Sequence, residues 1–420
     1  MRHARTMEAK VKKEDLFSPQ GHTDRPELPE RPRRGPAPDA DSLLRSPLGP
    51  YVLNRLPADL AAVAQGRSTY EQLAAEQCRV LRAAGAEDGP LATDPSFAPL
   101  VQLDLLFMLN GYLPAGPTAF PRPLLAALAA QCDRYPSLDP HMSYELLIDV
   151  NCAEWETTGH IRVFSDGDLG RLEGDFYLGH HLAEPAVRGA FDRVSSLVLE
   201  PHAVDPAAAL EEARRGLDDF RRYMAQYGRL PREAFQAFRP YHMGHPGGAR
   251  GASGAFMPSV QLLELALLAP TALYERYLDQ SLAYFPAWSR PVVSEWRERS
   301  RDGGNLVQAV LDGRLKPDRR AAVALLGVID TFVDFRMVHL GVTRKAIPEA
   351  FERSARPTRQ SILAQDGERD FLGGAGPGDG RGDELGTSGF SVHHVLTNAV
   401  HRLLTARRRV AETLGPTVTE

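Results

Sequence analysis

The sequence predicts an all-α protein with a large helical domain, a smaller helical part ahead of it and a disordered N-terminal tail. Three observations predict this class. Several long segments repeat apolar residues every three or four positions, strand-like runs are few and isolated, and residues 1–45 have almost no apolar periodicity.

The tail, 1–45, carries Pro19, Pro26, Pro29, Pro32, Pro36 and Pro38 among many charges, a composition that buries too little apolar surface to fold. A small helical region is expected over 46–145. Within it Tyr70, Leu73, Ala74, Cys78 and Leu81 follow a Ser68-Thr69 start signal at helical spacing. The larger domain is expected over 146–420. It opens with two runs, Leu146–Val150 and His160–Phe164, that could each form a short strand but have no partners in sequence.

Long helical segments follow: Pro206 to Tyr227, Pro258 to Leu268, Pro317 to Ile347 and Ser391 to Ala411. Pro258 suits a first helical turn, where the missing N–H is no loss, and Leu262, Leu265, Ala266 and Ala269 form a stripe behind it. Two Gly-rich stretches interrupt the pattern. Gly247 to Gly254 leads into the Pro258 helix, so its backbone can approach a bound planar group. Gly373 to Gly382 precedes Gly386-Thr387-Ser388-Gly389 and the last helix, and loops this long are usually functional lids or disordered inserts.

Composition narrows the function classes. Cys78, Cys132 and Cys152 are odd in number and widely spaced, which argues for a reducing compartment and against zinc, iron-sulfur clusters and covalent haem attachment. The charged N-terminus has no signal-peptide core, and no apolar run is expected to approach the roughly 18 residues of a membrane span. A cytoplasmic, soluble protein without membrane contact is expected. Net charge of -5 gives no basic field, and Arg407-Arg408-Arg409 is too short to imply nucleic acid.

Chemistry concentrates at Phe335-Arg336-Met337-Val338-His339-Leu340. One imidazole on an apolar helix wall, with a guanidinium one turn away, suits a haem with iron on the nitrogen and a propionate near the arginine. On spacing alone, a core histidine bonded to a carbonyl is the commoner reading. The other histidines offer less: His180-His181 and His393-His394 are adjacent pairs that point apart on a helix, and His242 and His245 flank a turn. Neither His-Glu-x-x-His nor Glu-x-x-His occurs, and the Gly247 loop lacks a phosphate-loop ending. Arg239, embedded among Phe235, Phe238 and Tyr241, could clamp the carboxylate of an aromatic amino acid, or simply end a helix.

In this order the motifs resemble the haem-dependent aromatic oxygenase superfamily of indoleamine and tryptophan 2,3-dioxygenases, nearest the monodechloroaminopyrrolnitrin synthase branch. Phe335-Arg336-Met337-Val338-His339-Leu340 resembles the proximal-ligand helix, and Gly386-Thr387-Ser388-Gly389-Phe390 the turn that contacts the substrate's amino-acid end. Phe238-Arg239-Pro240 resembles the family's carboxylate-binding arginine segment, and the Gly247 to Gly254 loop, with Ser253 and Gly254, resembles the loop that lines the family's haem pocket. The likeness covers scattered motifs over about 145 to 411. It implies haem b with His339 on the iron, Arg336 at a propionate, and Phe238, Arg239, Thr387 and Ser388 around the substrate. His181 is implied as the distal catalytic residue, with the choice between His180 and His181 left open. Ala346 and Ile347 stand where the pyrrolnitrin branch carries a tyrosine, and the turn ends in one glycine where the family has two.

The implied activity is insertion of O2-derived oxygen into tryptophan, an indole derivative or a related aromatic amino acid in specialised metabolism, with oligomerisation left open. A haem-dependent hydroxylase of an aromatic amino acid and a non-catalytic helical haem or ligand sensor stand as alternatives.

Overall fold

Every regular element among the described residues is a helix, and the protein is all-α. The computed structural model describes residues 46–86, 91, 94–244, 250–351, 357–369, 388 and 390–415. The expected tail, the Gly373 to Gly382 stretch, His245, Gly247, Gly386, Thr387 and Gly389 lie outside them. Two compact units form. The first draws on the chain up to Pro140 and on Leu146–Tyr177, the second on His141–Glu145 and the chain from Leu178 onward. Leu146–Tyr177 thus belongs to the first unit, whereas the sequence reading began the larger domain at 146.

The first unit holds α1 (Gly49–Asn54), α2 (Leu56–Ala64), α3 (Tyr70–Ala83), α4 (Ala98–Asn110), α5 (Arg122–Arg134), most of a π-helix (Glu145–Val150), α6 (Asn151–Thr158) and the opening of α7 (Gly167–Leu199). The Ser68-Thr69 start signal is real: Thr69 and Gln72 close a capping box at the head of α3. Neither strand-like run forms a strand. Leu146–Val150 winds into the π-helix, with all five side chains buried.

His160–Phe164 has no regular secondary structure, and side chains rather than a second strand bond to its backbone. Asn151 donates from Nδ2 to the Arg162 carbonyl and accepts the Arg162 N–H at Oδ1, each at 2.9 Å. Glu173 accepts the N–H groups of Phe164 and Ser165 at 2.9 and 2.8 Å, and also the Tyr177 hydroxyl. Burial is the main influence on Glu173 and raises its pKa, while these donors oppose the rise.

Helix α4 is buried at nearly every position, which explains why it lacks an amphipathic stripe. Its surroundings, Pro95–Ala115, are long and apolar enough to cross a membrane by length and composition, contrary to the sequence expectation, but 78% of the apolar window is buried inside the fold. At its middle, Asp104 pairs with Arg162, both fully covered.

The second unit holds the rest of α7, then α8 (Pro206–Gln226), α9 (Arg232–Phe238), α10 (Pro258–Leu267), α11 (Ala272–Ser281), α12 (Arg290–Arg301), α13 (Leu306–Leu311), α14 (Arg319–Ala346), α15 (Arg359–Leu363) and α16 (Val392–Leu414). Asp205 and Asp318 cap α8 and α14 by accepting the N–H groups of Ala207 and Ala321. Helix α14 lies against both α8 and α16, with Phe335 on Phe220 of α8 at 4.5 Å between ring centres. Each such ring taken out of water contributes roughly 1.5–3 kcal/mol. Helix α10 is buried at all its positions and packs on α12 and α13.

Replacing Asp104 with Asn strands the Arg162 guanidinium without a counter-charge. Urea unfolding of Asp104→Asn is expected to show a loss of about 3–5 kcal/mol, and a stability equal to wild type would contradict this account of the first unit's core.

Candidate functional site

Helix α14 brings His339 into the second unit's interior. The apolar spacing of Phe332, Phe335 and Leu340 turns one face inward, and His339 shares its edge, half-buried, with its ring 5.9 Å from that of Phe335. Its Nδ1 is fully covered and has no hydrogen-bond partner among the described residues. Burial first, then the charge of Arg336 and that of His180, push its pKa down to about 3. His339 is therefore a neutral imidazole whose lone pair is unprotonated at physiological pH.

One turn earlier, Arg336 is held by a buried carboxylate. Its Nη2 donates to Glu264 Oε2 at 2.6 Å, while the other Glu264 oxygen accepts from Arg402 of α16. Glu264 comes from α10, so a single carboxylate joins three helices. The Arg336 guanidinium lies over Phe332 and Phe335, 5.2 and 5.4 Å from their ring centres, and that of Arg402 over Tyr274 at 3.8 Å. Two cations in contact with one buried anion are tolerable only because each is also paired or stacked.

Gly254 and His242 lie close to His180 of α7. His180 is buried, and a β-carbon built on Gly254 would stand 3.3 Å from its Nε2, a tight contact that the absent side chain relieves. His181, the distal residue expected from sequence, is half-buried with Nδ1 covered. Of the adjacent pair, it is His180 whose charge is felt by His339 and His242 and whose ring meets the Gly254 loop. His242 is buried, and burial, then His180, lower its pKa to about 3. Phe238 is fully buried against Phe235 and His242, and Arg239, half-buried, opens the following 3-10 turn. Ser253 caps the short turn Gly254–Phe256, its Oγ accepting the Ala255 N–H at 3.2 Å.

Arg250, which the sequence reading passed over, joins the two Gly-rich regions. It donates at 2.7 Å to the Ser388 carbonyl and at 2.7 Å to Gln280 Oε1, and stacks 3.9 Å from the centre of the Phe390 ring. Ser388 and Phe390 are both buried, and Phe390 lies 5.2 Å from Tyr277. Tyr277 in turn donates to the Ala255 carbonyl at 2.7 Å. Helix α11 thereby holds the loop after Arg250 at both ends. No periodicity signals this residue, since its partners come from distant segments.

His393 packs edge-on against Phe351 at 5.3 Å and beside His394, apart from these groups in its contacts. Among the described residues, no three His, Cys, Asp or Glu side chains converge closely enough to hold a metal ion. An open cleft of about 620 Å³ lies between α14, α15 and α16, where Asp330 accepts from Arg407 at 2.7 Å and sits 3.7 Å from Arg359. It contains none of the residues that the sequence reading assigns to haem, substrate or catalysis.

Removing the Arg250 guanidinium should free the Ser388 carbonyl and the Phe390 ring. Arg250→Ala is expected to raise amide hydrogen exchange across 250–256 and 388–390 and to cost about 1–3 kcal/mol; unchanged exchange there would contradict a holding role. His242 gives a pH prediction. Its folded pKa lies below the unfolded value of about 6.5, so only the unfolded chain gains a proton as pH falls. Stability should therefore be complete above about pH 6.5 and decline by about 1.4 kcal/mol per pH unit toward the folded pKa. His242→Asn should make the decline shallower by that amount in urea titrations, and an identical slope would rule His242 out as a cause.

No family model and no curated protein matches this sequence, so the functional reading rests on the chain's own residues and the order of its motifs.

Proposed function

We propose that this chain is a haem b-dependent oxygenase that inserts O2-derived oxygen into tryptophan, an indole derivative or a related aromatic amino acid. The observation that carries the reading is His339: a neutral imidazole on a long rigid helix, with a covered Nδ1 that has no hydrogen-bond partner among the described residues. A ligand to iron must be unprotonated, and a buried ring nitrogen left without a protein partner suits a residue whose lone pair serves a bound group.

The remaining residues fit the same group. Phe220, Phe332 and Phe335 make the α14 side aromatic and dry, as a planar macrocycle requires. Gly254 keeps the opposing loop free of side-chain bulk. Arg336 brings a positive charge beside His339, and because Glu264 fixes one of its nitrogens, it acts as a held charge near a haem carboxylate rather than a swinging clamp.

When bound, haem supplies the redox chemistry that activates O2. The protein's own residues do the rest. His339 holds the iron at its ring nitrogen and keeps the group seated in the interior. His180 presents an imidazole edge beside Gly254, where a small ligand can take or give a hydrogen bond. Arg239 offers a guanidinium for the substrate carboxylate, with Phe238 and its neighbours shaping an aromatic wall. The latch of Arg250 on Ser388 and Phe390 orders the segment beside Thr387, to which we assign contact with the substrate's amino-acid end.

The test is reconstitution with haem b followed by absorption spectroscopy and O2 uptake over a panel of aromatic amino acids. A Soret band that is lost or displaced in His339→Ala, with O2 consumption stimulated by an indole amino acid, is expected. No band in haem-supplied wild type, or an unchanged band in His339→Ala, would overturn the assignment. Haem binding without substrate-dependent O2 uptake would leave a sensor in place of an enzyme.

A further inference from the structure

A glycine stands beside each nitrogen edge of His180, and at Gly179 no side chain could be accommodated. On the Nδ1 side, Tyr227 follows α8 and sets its hydroxyl 3.0 Å from His180 Nδ1, with the two rings stacked at 5.0 Å and 24°. The residue before His180 is Gly179, where a β-carbon would fall 2.5 Å from the Tyr227 oxygen and 2.9 Å from Cε1 and Cζ. No other residue at 179 would let the phenol lie flat against α7 at this point. On the Nε2 side stands Gly254, and the Tyr144 ring meets His180 edge-on at 6.5 Å.

A neutral imidazole carries its proton on one nitrogen only, and the partner at the other nitrogen decides which. A phenol is the stronger donor of this pair, its hydroxyl proton being more acidic than an imidazole N–H. Donation from Tyr227 to Nδ1 places the imidazole proton on Nε2, the edge that faces the Gly254 loop.

We propose that Tyr227 is a positioning residue that fixes His180 as the Nε2–H tautomer and so makes it a hydrogen-bond donor to a small oxygen-bearing ligand beside Gly254. The ligand's identity rests on the oxygenase reading; the tautomer does not. Tyr227 acts through His180 and touches no substrate, and Gly179 is the residue that lets it do so.

The experiment separates the two claims. On the protein as isolated, long-range ¹H–¹⁵N spectra of the histidine rings, with His180 assigned by its loss in His180→Gln, should show an acceptor-type Nδ1 and a protonated Nε2. Tyr227→Phe should shift both nitrogens toward a mixture of tautomers, and Gly179→Ala should do the same while leaving the tyrosine hydroxyl intact. An Nδ1–H tautomer in wild type, or ring shifts unmoved in Tyr227→Phe, would overturn the proposal even if Gly179→Ala fails to fold. In the haem-loaded ferrous protein with carbon monoxide as probe, the C–O stretch should rise in Tyr227→Phe and His180→Phe as the donor is weakened or lost. Tautomer shifts as expected with no haem uptake would sink the oxygenase reading and leave the positioning role standing. An unmoved stretch in both variants would remove the ligand-donor part of the proposal.

Discussion

One carboxylate organises the second unit. Glu264, buried on α10, accepts from Arg336 of α14 and Arg402 of α16, and burying three charges together is tolerable only if none of them is left alone. The position of Arg336 fixes the turn of α14 that carries His339. On the other side, Arg402 lies on Tyr274, whose hydroxyl donates to Gln261 at 2.5 Å. Gln261 donates to the Ala255 carbonyl at 3.1 Å, which Tyr277 also reaches. Ala255 follows Gly254, the residue that abuts His180. Stacking and hydrogen bonds thus connect the ionic bridge to the Ala255 carbonyl, beside Gly254.

This arrangement explains how imidazoles stay neutral in a protein interior that also holds cations. Arg336 disfavours a proton on His339, and burial disfavours it more, while Glu264 absorbs the cation's charge so that the site is not strongly positive as a whole. Neutral rings, aromatic walls and glycine-thinned loops together suit a planar, largely apolar group with one metal centre. On the proposed reading, polar recognition of a substrate falls to Arg239 and the Ser388 segment.

Much of the helical framework was legible in the sequence because it depends on local rules. Thr69 and Pro258 mark starts that form as expected, and α8, α14 and α16 follow their apolar periods closely. Helix α7 was harder to see: Pro185 and several glycines interrupt its pattern, although it runs for 33 residues. His160–Phe164 has strand chemistry but no partner strand, and only Asn151 and Glu173 reveal why it needs none. The site was half legible. His339 stands out by its setting on one helix, whereas Glu264 and Arg402, 138 residues apart, and Tyr227 and His180, 47 apart, meet through packing that no local pattern encodes. Arg250 escaped for the same reason, its partner Ser388 lying 138 residues away.

The central claim is that the His339 imidazole itself is the metal ligand, and chemical replacement tests it most directly. His339→Gly keeps the helix and opens a cavity the size of the lost ring. Supplied with haem b, this variant should lack the wild-type absorption spectrum and regain it when imidazole is added, with saturation. A His339→Gly protein that shows the wild-type spectrum without imidazole would contradict the account.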